Sequence, residues 1–311
     1  MAALSVAAIL YGYRVYDYFA ARMFTPTAEV KGIHDSLKLT SWGSDIMYAS
    51  KPTVQSGQAF NDACKSVDRT AAILGCYYRA DIFLYNVTNP DLAGAKEVTA
   101  AHEMLHAAYQ QLNFIDRAKV DKMINAEYDQ VKEDAYIKKL MGYYKQAEPG
   151  ELTNELHSIL GTTLAGLSPE LEQYYARYFT DRQLIVQLNQ KYNSVFDSVE
   201  QRSNQLATAV NAAGPQIEAD LTAYEADLTQ LQADIETFNK RASSNYFTTN
   251  SAFQAARQAL ISRVNTLNVR RDAINARVKT YNDEIAELNS LSVRMSQLNN
   301  SINAAPAASG V

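Results

Sequence analysis

The sequence predicts a mainly α protein: an α+β domain with a small sheet, followed by a long antiparallel helical hairpin. Three observations support this fold class. Gly and Pro are scarce, at 12 and 7 in 311 residues, which favours helices. A segment rich in Tyr, Phe and Ile at 75–87 is typical of strands. In the last third of the chain, apolar residues recur at alternating spacings of four and three, which indicates paired long helices.

The bulk composition excludes two classes of protein. Hydrophobic residues make up 47% and charged residues 20% of the chain, which is typical of a folded protein rather than a disordered one. The formal net charge is −5, whereas a protein that binds nucleic acid normally carries a basic surplus. We therefore expect a folded protein with no nucleic-acid partner.

Residues 1–24 form the first segment and begin with the apolar run MAALSVAAILYGY. The run is shorter than the roughly 20 apolar residues that span a bilayer. It also lacks the basic start and the small-residue cleavage site of a secretory signal. Three interpretations stay open: the remnant of a signal anchor with membrane association, an amphipathic helix that packs on the domain, and a weak signal sequence.

The two cysteines, Cys64 and Cys76, do not have the spacing of a zinc ribbon or of a thioredoxin-type pair. In an exported protein they would form a disulfide that closes a short loop and contributes about 3 kcal/mol. In a cytosolic protein they would be two buried thiols. Since two of the three N-terminal interpretations lead to export, we expect an extracytoplasmic protein, secreted or membrane-anchored, with this disulfide.

Residues 25–182 are predicted to form the α+β domain. Strands are expected at 44–50 (SDIMYAS) and at 75–87 (GCYYRADIFLYNV), because both are bounded by turn formers. Apolar periodicity and breaker residues predict helices at about 95–112, 117–144 and 151–164. A further helix should start at Ser168, because Ser is a good cap and the Pro169 that follows suits a first turn.

Residues 183–304 are predicted to form an antiparallel coiled-coil hairpin. The apolar seam runs from Ile217 to Phe238 and returns from Leu260 to Leu288, and turn formers gather between them at 239–253. The pair Gly214-Pro215 should kink or break the first arm. A seam this apolar must pair with itself or with another chain, so the hairpin is also a candidate docking arm for an envelope protein. Residues 305–311 should be a disordered tail.

The stretch VTAAHEMLHAAYQQL (98–112) contains the candidate metal ligands and the candidate general base. His102 and His106 are four residues apart, so they share one face of a helix. Together with Glu103 they make the H-E-x-x-H arrangement, in which two imidazoles bind Zn²⁺ and the glutamate is the general base for a water. The alternative is an ordinary amphipathic helix that carries two histidines by chance.

A zinc hydrolase needs a third protein ligand and an open fourth position. The segment GELTNELHSILGT (150–162) offers Glu151, Glu155 and His157. On a helix, Glu155 and His157 point in different directions, so both cannot easily bind one metal. The residues alone leave the three candidates open.

The motifs HEMLH and NELHS together resemble the H-E-x-x-H…E order of thermolysin-like gluzincin metallopeptidases. The resemblance covers two short motifs within 98–162. It implies that His102, His106 and Glu155 bind zinc, that Glu103 is the base, and that the protein hydrolyses peptide bonds.

The sequence departs from that family at one position. The family pattern continues with an aspartate that orients a ligand histidine, and Ile159 stands in its place. The hydrogen-bond partner of the histidine must therefore come from elsewhere. Asn154, Ser158 and Glu151 are the nearby options.

Peptide hydrolysis also needs a group that stabilises the oxyanion. The candidates are aromatic or basic residues of 172–182 and one histidine: Tyr174, Tyr175, Tyr178, Arg182 and His157. Aromatic residues at helical spacing are otherwise core residues. The segment 80–87 is expected to be an edge strand that holds an extended substrate by β-addition.

The sequence thus predicts a zinc metallopeptidase, a hydrolase whose substrate is a peptide or protein. Two alternatives remain. One is an extracytoplasmic coiled-coil adaptor or scaffold with an inactive or structural metal site. The other is a zinc amidase that acts on cell-wall peptides.

Overall fold

The structure is a computed structural model that describes residues 2–64, 74–147 and 150–302. It is 79% helical and has one three-stranded sheet, which confirms the mainly α fold class. The chain divides into two units: the first comprises residues 1–197 and 297–311, and the second comprises 198–296. The predicted tail at 305–311 lies outside the described residues.

The helices and strands are numbered in chain order. The helices are α1 Ala2–Met23, α2 Ala28–Ser36, α3 Ser41–Ala49, α4 Gly57–Ala63, α5 Ala95–Gln110, α6 Phe114–Val131, α7 Ala135–Ala147, α8 Leu152–Thr163, α9 Pro169–Tyr175, α10 Arg182–Ser243 and α11 Asn250–Ile302. The strands are β1 Thr53–Gln55, β2 Gly75–Tyr78 and β3 Asp81–Tyr85. The helices predicted at 95–112, at 151–164 and after Ser168 are confirmed.

The sheet has the order β1-β3-β2, with β1 parallel and β2 antiparallel to β3. The segment predicted as one strand at 75–87 is therefore a hairpin. Its turn residues Arg79 and Ala80 both have positive φ, 53° and 66°, as in the turns that match strand twist. The expected edge strand at 80–87 is wrong, because β3 is central and β2 is an edge. Neither turn residue is the Gly or Asn that normally signals such a turn.

The strand predicted at 44–50 is also wrong, because these residues belong to α3. Thr40 caps this helix: its Oγ1 accepts from Gly43 N at 3.1 Å. Ile46 and Met47 are fully buried, and with Gly43 they follow helical rather than alternating spacing. The tertiary core thus decides the conformation of a short apolar run.

The helix predicted at 117–144 is two helices, α6 and α7. The chain leaves α6 after Val131 and starts again at Ala135. The Asp134 side chain accepts hydrogen bonds from Tyr136 N at 3.0 Å and from Ile137 N at 3.1 Å. An aspartate that satisfies the first backbone donors of a helix favours a new start at this position.

The core of the first unit surrounds α5. Met104 and Leu105 on this helix are fully buried, and they share one cluster with Leu84 of β3, Ile124 of α6 and Leu160 of α8. The α5 helix is therefore held on several sides, which fixes the direction of its polar side chains.

The N-terminal segment predicted at 1–24 is helix α1, and its second half packs on α3. The Arg14 guanidinium lies 4.4 Å from the centre of the Trp42 ring, and Arg22 Nη1 lies 3.1 Å from Asp45 Oδ1. Among the described helices, none combines the length and apolar character needed to cross a membrane.

The second unit consists of the antiparallel parts of α10 and α11. Four ion pairs join the two helices, and as one partner advances along α10 the other retreats along α11: Arg202–Glu287, Asp220–Arg277, Asp227–Arg270 and Asp234–Arg263. Leu231 and Ile274 are buried on the seam. The chain links the helices through 244–249, within the predicted turn segment.

Of the kink or break predicted at Gly214-Pro215, the break is absent, because α10 continues through Pro215. Proline removes one backbone hydrogen bond from a helix. Pairing along the whole seam compensates, since most helical stability comes from packing of the apolar face. The boundary expected at 183 also lies later: Ile185 and Val186 are buried, and α10 as far as Asp197 belongs to the first unit.

Candidate metal centre

Two helices, α5 and α8, bring three metal-ligand side chains together. Glu155 Oε2 lies 3.5 Å from His102 Nε2, and Glu155 Oε1 lies 3.3 Å from His106 Nε2. The three ligand atoms lie within 4.8 Å of one another. His106 and Glu155 are buried, whereas the His102 side chain is 16% exposed. The cluster therefore faces solvent on the side of His102.

The spacing of these atoms fits a bound metal ion. The separations of 3.3 and 3.5 Å exceed the roughly 2.7–3.2 Å of an N–H···O hydrogen bond. Ligands at about 2.0–2.1 Å around a tetrahedral zinc ion lie about 3.4 Å apart. Among the described residues this group has three protein ligands, and three ligands plus an open position are typical of catalytic zinc sites.

A glycine sets the approach of α8 to α5. A methyl group at Gly161 would lie 2.5 Å from Leu105 Cδ1 and 2.8 Å from Tyr175 Cε1. Any larger residue would push the two helices apart, because both neighbours are fully buried. Gly161 thus allows the close packing that carries Glu155 to the two histidines.

Asn154 orients one of the histidines. Its Oδ1 lies 2.9 Å from His106 Nδ1, and its Nδ2 donates to Glu151 Oε2 at 3.2 Å. Since a carboxylate only accepts, the second bond fixes the amide so that Oδ1 faces the imidazole. His106 must then carry its proton on Nδ1, which leaves the Nε2 lone pair for a metal.

The structure selects one of the three options for this hydrogen-bond partner. Asn154 bonds to His106 directly, whereas Glu151 bonds to Asn154. Ile159 is 2% exposed and belongs to the core cluster. The residue that orients His106 is therefore the one directly before Glu155, not the one at position 159.

The Glu103 side chain lies against the edge strand β2. A methyl group at Gly75 would lie 2.9 Å from Glu103 Oε1 and 2.5 Å from Thr99 Cγ2. Glu103 is 5% exposed. Only glycine at position 75 leaves room for the Glu103 carboxylate. No role for Gly75 is predicted from the sequence. A glycine at the first position of a Tyr-rich strand is the sequence feature that could have indicated a close approach of another side chain.

The other two candidates for the third ligand lie outside the triad. Glu151 is exposed at the N-cap of α8. His157 is completely buried, and its Nε2 lies 2.9 Å from Tyr174 Oη. Burial, followed by the proximity of His106 and His102, lowers the pKa of His157 well below its usual value. This histidine is a neutral core residue.

The predicted oxyanion donors are core residues as well. Tyr175 and Tyr178 are fully buried. The Tyr175 hydroxyl donates to the His157 carbonyl at 2.6 Å, and the Tyr178 hydroxyl donates to Tyr174 Oη at 3.4 Å. Arg182 donates to the Leu164 carbonyl at 2.7 Å. The oxyanion role expected for Tyr175, Tyr178 or His157 is not supported, because a side chain without exposed surface cannot meet a substrate.

The disulfide expected between Cys64 and Cys76 is present, with the two Cα atoms 5.9 Å apart. It joins the end of α4 to β2, and both cysteines are buried beside Phe60. Because Cys76 directly follows Gly75, the disulfide holds the edge strand next to Glu103. It thus contributes to the position of the site as well as to stability.

Comparison of the chain with known protein families, with curated proteins and with solved structures finds no match.

Proposed function

We propose that this protein is a zinc-dependent metallopeptidase of gluzincin type. The observation that carries the proposal is the convergence of His102 Nε2, His106 Nε2 and the Glu155 carboxylate at metal-ligand spacing. The position of Glu103, next to His102 in sequence and against the edge strand in space, supports hydrolysis rather than storage or transport of the metal.

Each residue then has a distinct task. His102, His106 and Glu155 would hold the zinc ion, which would supply Lewis acidity and lower the pKa of a bound water to about 7. Glu103 would serve as the general base that accepts a proton from the attacking water and as the acid that returns it to the leaving amine. Asn154 keeps the His106 ring in one tautomer and one orientation throughout.

The edge strand supports an extended substrate. β2 pairs with β3 on one side and is the outer strand of the described sheet. An extended peptide binds such an edge through main-chain hydrogen bonds. Gly75 would bring the scissile bond near Glu103, because the two residues are in contact. This arrangement suits a peptide or protein substrate.

The disulfide supports a position outside the cytoplasm. Disulfides persist in oxidising compartments and are rare in the cytosol, and Cys64–Cys76 is buried in the fold. The hairpin of the second unit is proposed as a docking arm for an envelope protein partner. Its exposed face carries the charged residues that such an arm needs for solubility.

The test combines metal analysis with peptide cleavage by the full chain. We expect about one zinc per chain and zinc-dependent cleavage of a peptide panel. Glu103→Gln should retain zinc and lose at least about 100-fold in cleavage rate, within the range for general-base catalysis. Glu97→Gln, on the same helix but in its first turn, is the matched control and should cleave normally.

Four outcomes contradict the proposal in different ways. If the purified protein contains no stoichiometric zinc, the proposal of a zinc enzyme is wrong. If Glu103→Gln cleaves peptides as fast as the wild type, Glu103 is not the general base. Bound zinc without cleavage of any peptide favours the adaptor with a structural metal site. Cleavage confined to cell-wall peptides identifies the zinc amidase instead.

A further inference from the structure

A cavity lies at the C-terminal end of α5, and its lining contains none of His102, His106 and Glu155. It has a volume of about 190 Å³, and its lining includes Tyr13, Tyr16 and Asp17 of α1, Tyr77 of β2, and the pair Gln110 and Gln111. A cavity of about 150 Å³ is enough to hold a benzene-sized molecule. The space therefore fits a small organic group.

The cavity contains a buried carboxylate that is only partly satisfied. Asp17 is 1% exposed, and its Oδ1 accepts from Gln111 Nε2 at 3.3 Å. Its Oδ2 is buried and has no hydrogen-bond partner in the part of the chain that the structure describes. A buried polar atom without a partner is costly and calls for an explanation.

The electrostatic surroundings of Asp17 favour a cation. The charged neighbour of Asp17 is a second carboxylate, Asp45. Burial is the main reason that the pKa of Asp17 is raised to about 6. An anion would meet a negative group, and a neutral ligand would leave the charge uncompensated. A cation with hydrogen-bond donors satisfies both the charge and the free oxygen.

The aromatic lining favours an organic cation over a metal ion. Three tyrosines, Tyr13, Tyr16 and Tyr77, line the cavity together with Asp17, and Tyr13 and Tyr16 are 57% and 59% exposed. Hard metal ions require about six or more oxygen ligands, and the described lining contains one carboxylate. Aromatic rings attract ammonium groups through their faces.

We propose that this cavity binds an alkylammonium group, with Asp17 as the counter-ion and Tyr13, Tyr16 and Tyr77 as an aromatic cage. The oxygen Oδ2 accepts from the ammonium, and the three rings cover its alkyl part. The raised pKa of Tyr77, to which Asp17, Tyr13 and Tyr16 contribute after burial, agrees with the closeness of these groups.

The ammonium has two sources: a free amine or the side chain of a lysine in a polypeptide. The second source rests on the proposed function. Tyr77 lies two residues after Gly75 on the same strand, and alternate residues of a strand face the same side. A peptide along β2 would therefore carry a lysine side chain toward the cavity while its backbone passes Glu103.

The experiment measures binding by the full chain, without any need for cleavage. The probe is n-butylammonium, and n-butanol is its neutral analogue of similar size. We expect saturable binding of the ammonium and at least about tenfold weaker binding of the alcohol, since one charge-assisted hydrogen bond to a buried group accounts for that ratio. Chemical-shift titration or calorimetry gives both constants.

Two variants test the assignment of the counter-ion. Asp17→Asn keeps an oxygen that accepts from Gln111, so the fold is retained, and it should lose at least about tenfold in ammonium affinity. Asp35→Asn removes a carboxylate that is outside the cavity lining and is paired with Lys31, and it should bind as well as the wild type. Thermal unfolding of both variants verifies that they fold.

A pair of blocked peptides distinguishes the two sources. Gly-Gly-Lys-Gly-Gly is compared with the same peptide containing norleucine. Preference for the lysine peptide over butylammonium assigns a polypeptide ligand, and binding of butylammonium alone assigns a free amine. Equal binding of alcohol and ammonium, equal binding by wild type and Asp17→Asn, or no binding of any probe would overturn the proposal. None of these results depends on the peptidase activity.

Discussion

Substitution of Asn154 by alanine should weaken zinc binding without unfolding the protein. The change removes the acceptor that lies 2.9 Å from His106 Nδ1. Because both residues are more than 90% buried, the Nδ1–H donor would be left without water or a protein partner. An unsatisfied buried donor costs about 1–3 kcal/mol.

The cost lowers zinc affinity because the zinc-free ring of the variant can carry its proton on Nε2, which faces Glu155 Oε1, whereas zinc at Nε2 forces the proton onto the unpartnered Nδ1. About 1–3 kcal/mol corresponds to roughly 5- to 150-fold, and loss of a partner to a ligand histidine typically reduces metal affinity by about 10- to 100-fold. We therefore expect a 10- to 100-fold weaker Kd. The remaining ligands, His102 and Glu155, keep their own positions on α5 and α8.

Competition with a chelator of known affinity measures the change. Asn154→Asp should restore the zinc affinity, because a carboxylate accepts from the same Nδ1–H, but it should lower the stability of the zinc-free protein, because it adds a third buried carboxylate beside Glu151. Asn189→Ala is the matched control: Asn189 is also buried and bonded, to the Thr162 carbonyl at 3.2 Å, but not to a triad residue. Zinc affinity that is unchanged in Asn154→Ala, or equally reduced in Asn189→Ala, would refute the reasoning.

Three further predictions concern stability, measured by urea unfolding. Gly75→Ala should destabilise the protein by about 1–3 kcal/mol through overpacking against α5, whereas Gly32→Ala, where a methyl meets nothing within 4 Å, should be neutral or stabilising by up to about 1 kcal/mol; equal effects would contradict this. Burial raises the pKa of Asp17 from 3.8 to about 6. At pH 3 the side chain is protonated in the folded and the unfolded protein, so it does not lower the free energy of unfolding, whereas above pH 6 ionisation of the buried carboxyl lowers it fully. Asp17→Asn should therefore gain about 2–3 kcal/mol over wild type at pH 8 and nothing at pH 3, and a gain independent of pH would contradict this cause. Joint replacement of Cys64 and Cys76 by alanine, which opens a loop with a sequence separation of 12, should cost about 3 kcal/mol, and an unchanged midpoint would show that the crosslink is not stabilising.

The helical elements could be predicted from sequence because their signals are local. The signals for the long seams of α10 and α11 and for the start of α9 after Ser168 depend on residues within a few turns of one another. The errors fall where distant contacts decide. Residues 44–50 are helical because α3 fits its buried face into the core, and Pro215 stays in α10 because the opposite helix supports it. Neither partner is visible in the local pattern.

The proximity of His102 and His106 could be predicted from their helical spacing, and Glu155 was favoured over Glu151 and His157 by the resemblance of two motifs to a known family. The groups around these three residues could not be predicted. Gly75 and Gly161 are important because they have no Cβ atom. The side chains that would clash with one, Glu103 and Leu105, lie on another element, α5. Tyr175 and Tyr178 offered suitable hydroxyl groups, but their burial depends on how α9 packs beneath α8. The sequence shows which side chains have suitable chemical groups. Whether a substrate can reach those groups depends on how the elements pack.

The use of an amide beside His106 also has an electrostatic reason. Glu155 and Glu103 are each 5% exposed, so the site already holds two carboxylates in a region where an additional buried charge is costly. Asn154 supplies a directional acceptor without a charge. The carboxylate that would otherwise occupy its place is one hydrogen bond further out, at Glu151, which is exposed to solvent. The series His106–Asn154–Glu151 thus orients the imidazole while it keeps the third carboxylate in water. That arrangement leaves position 159, which the buried Ile159 occupies, without an orienting role.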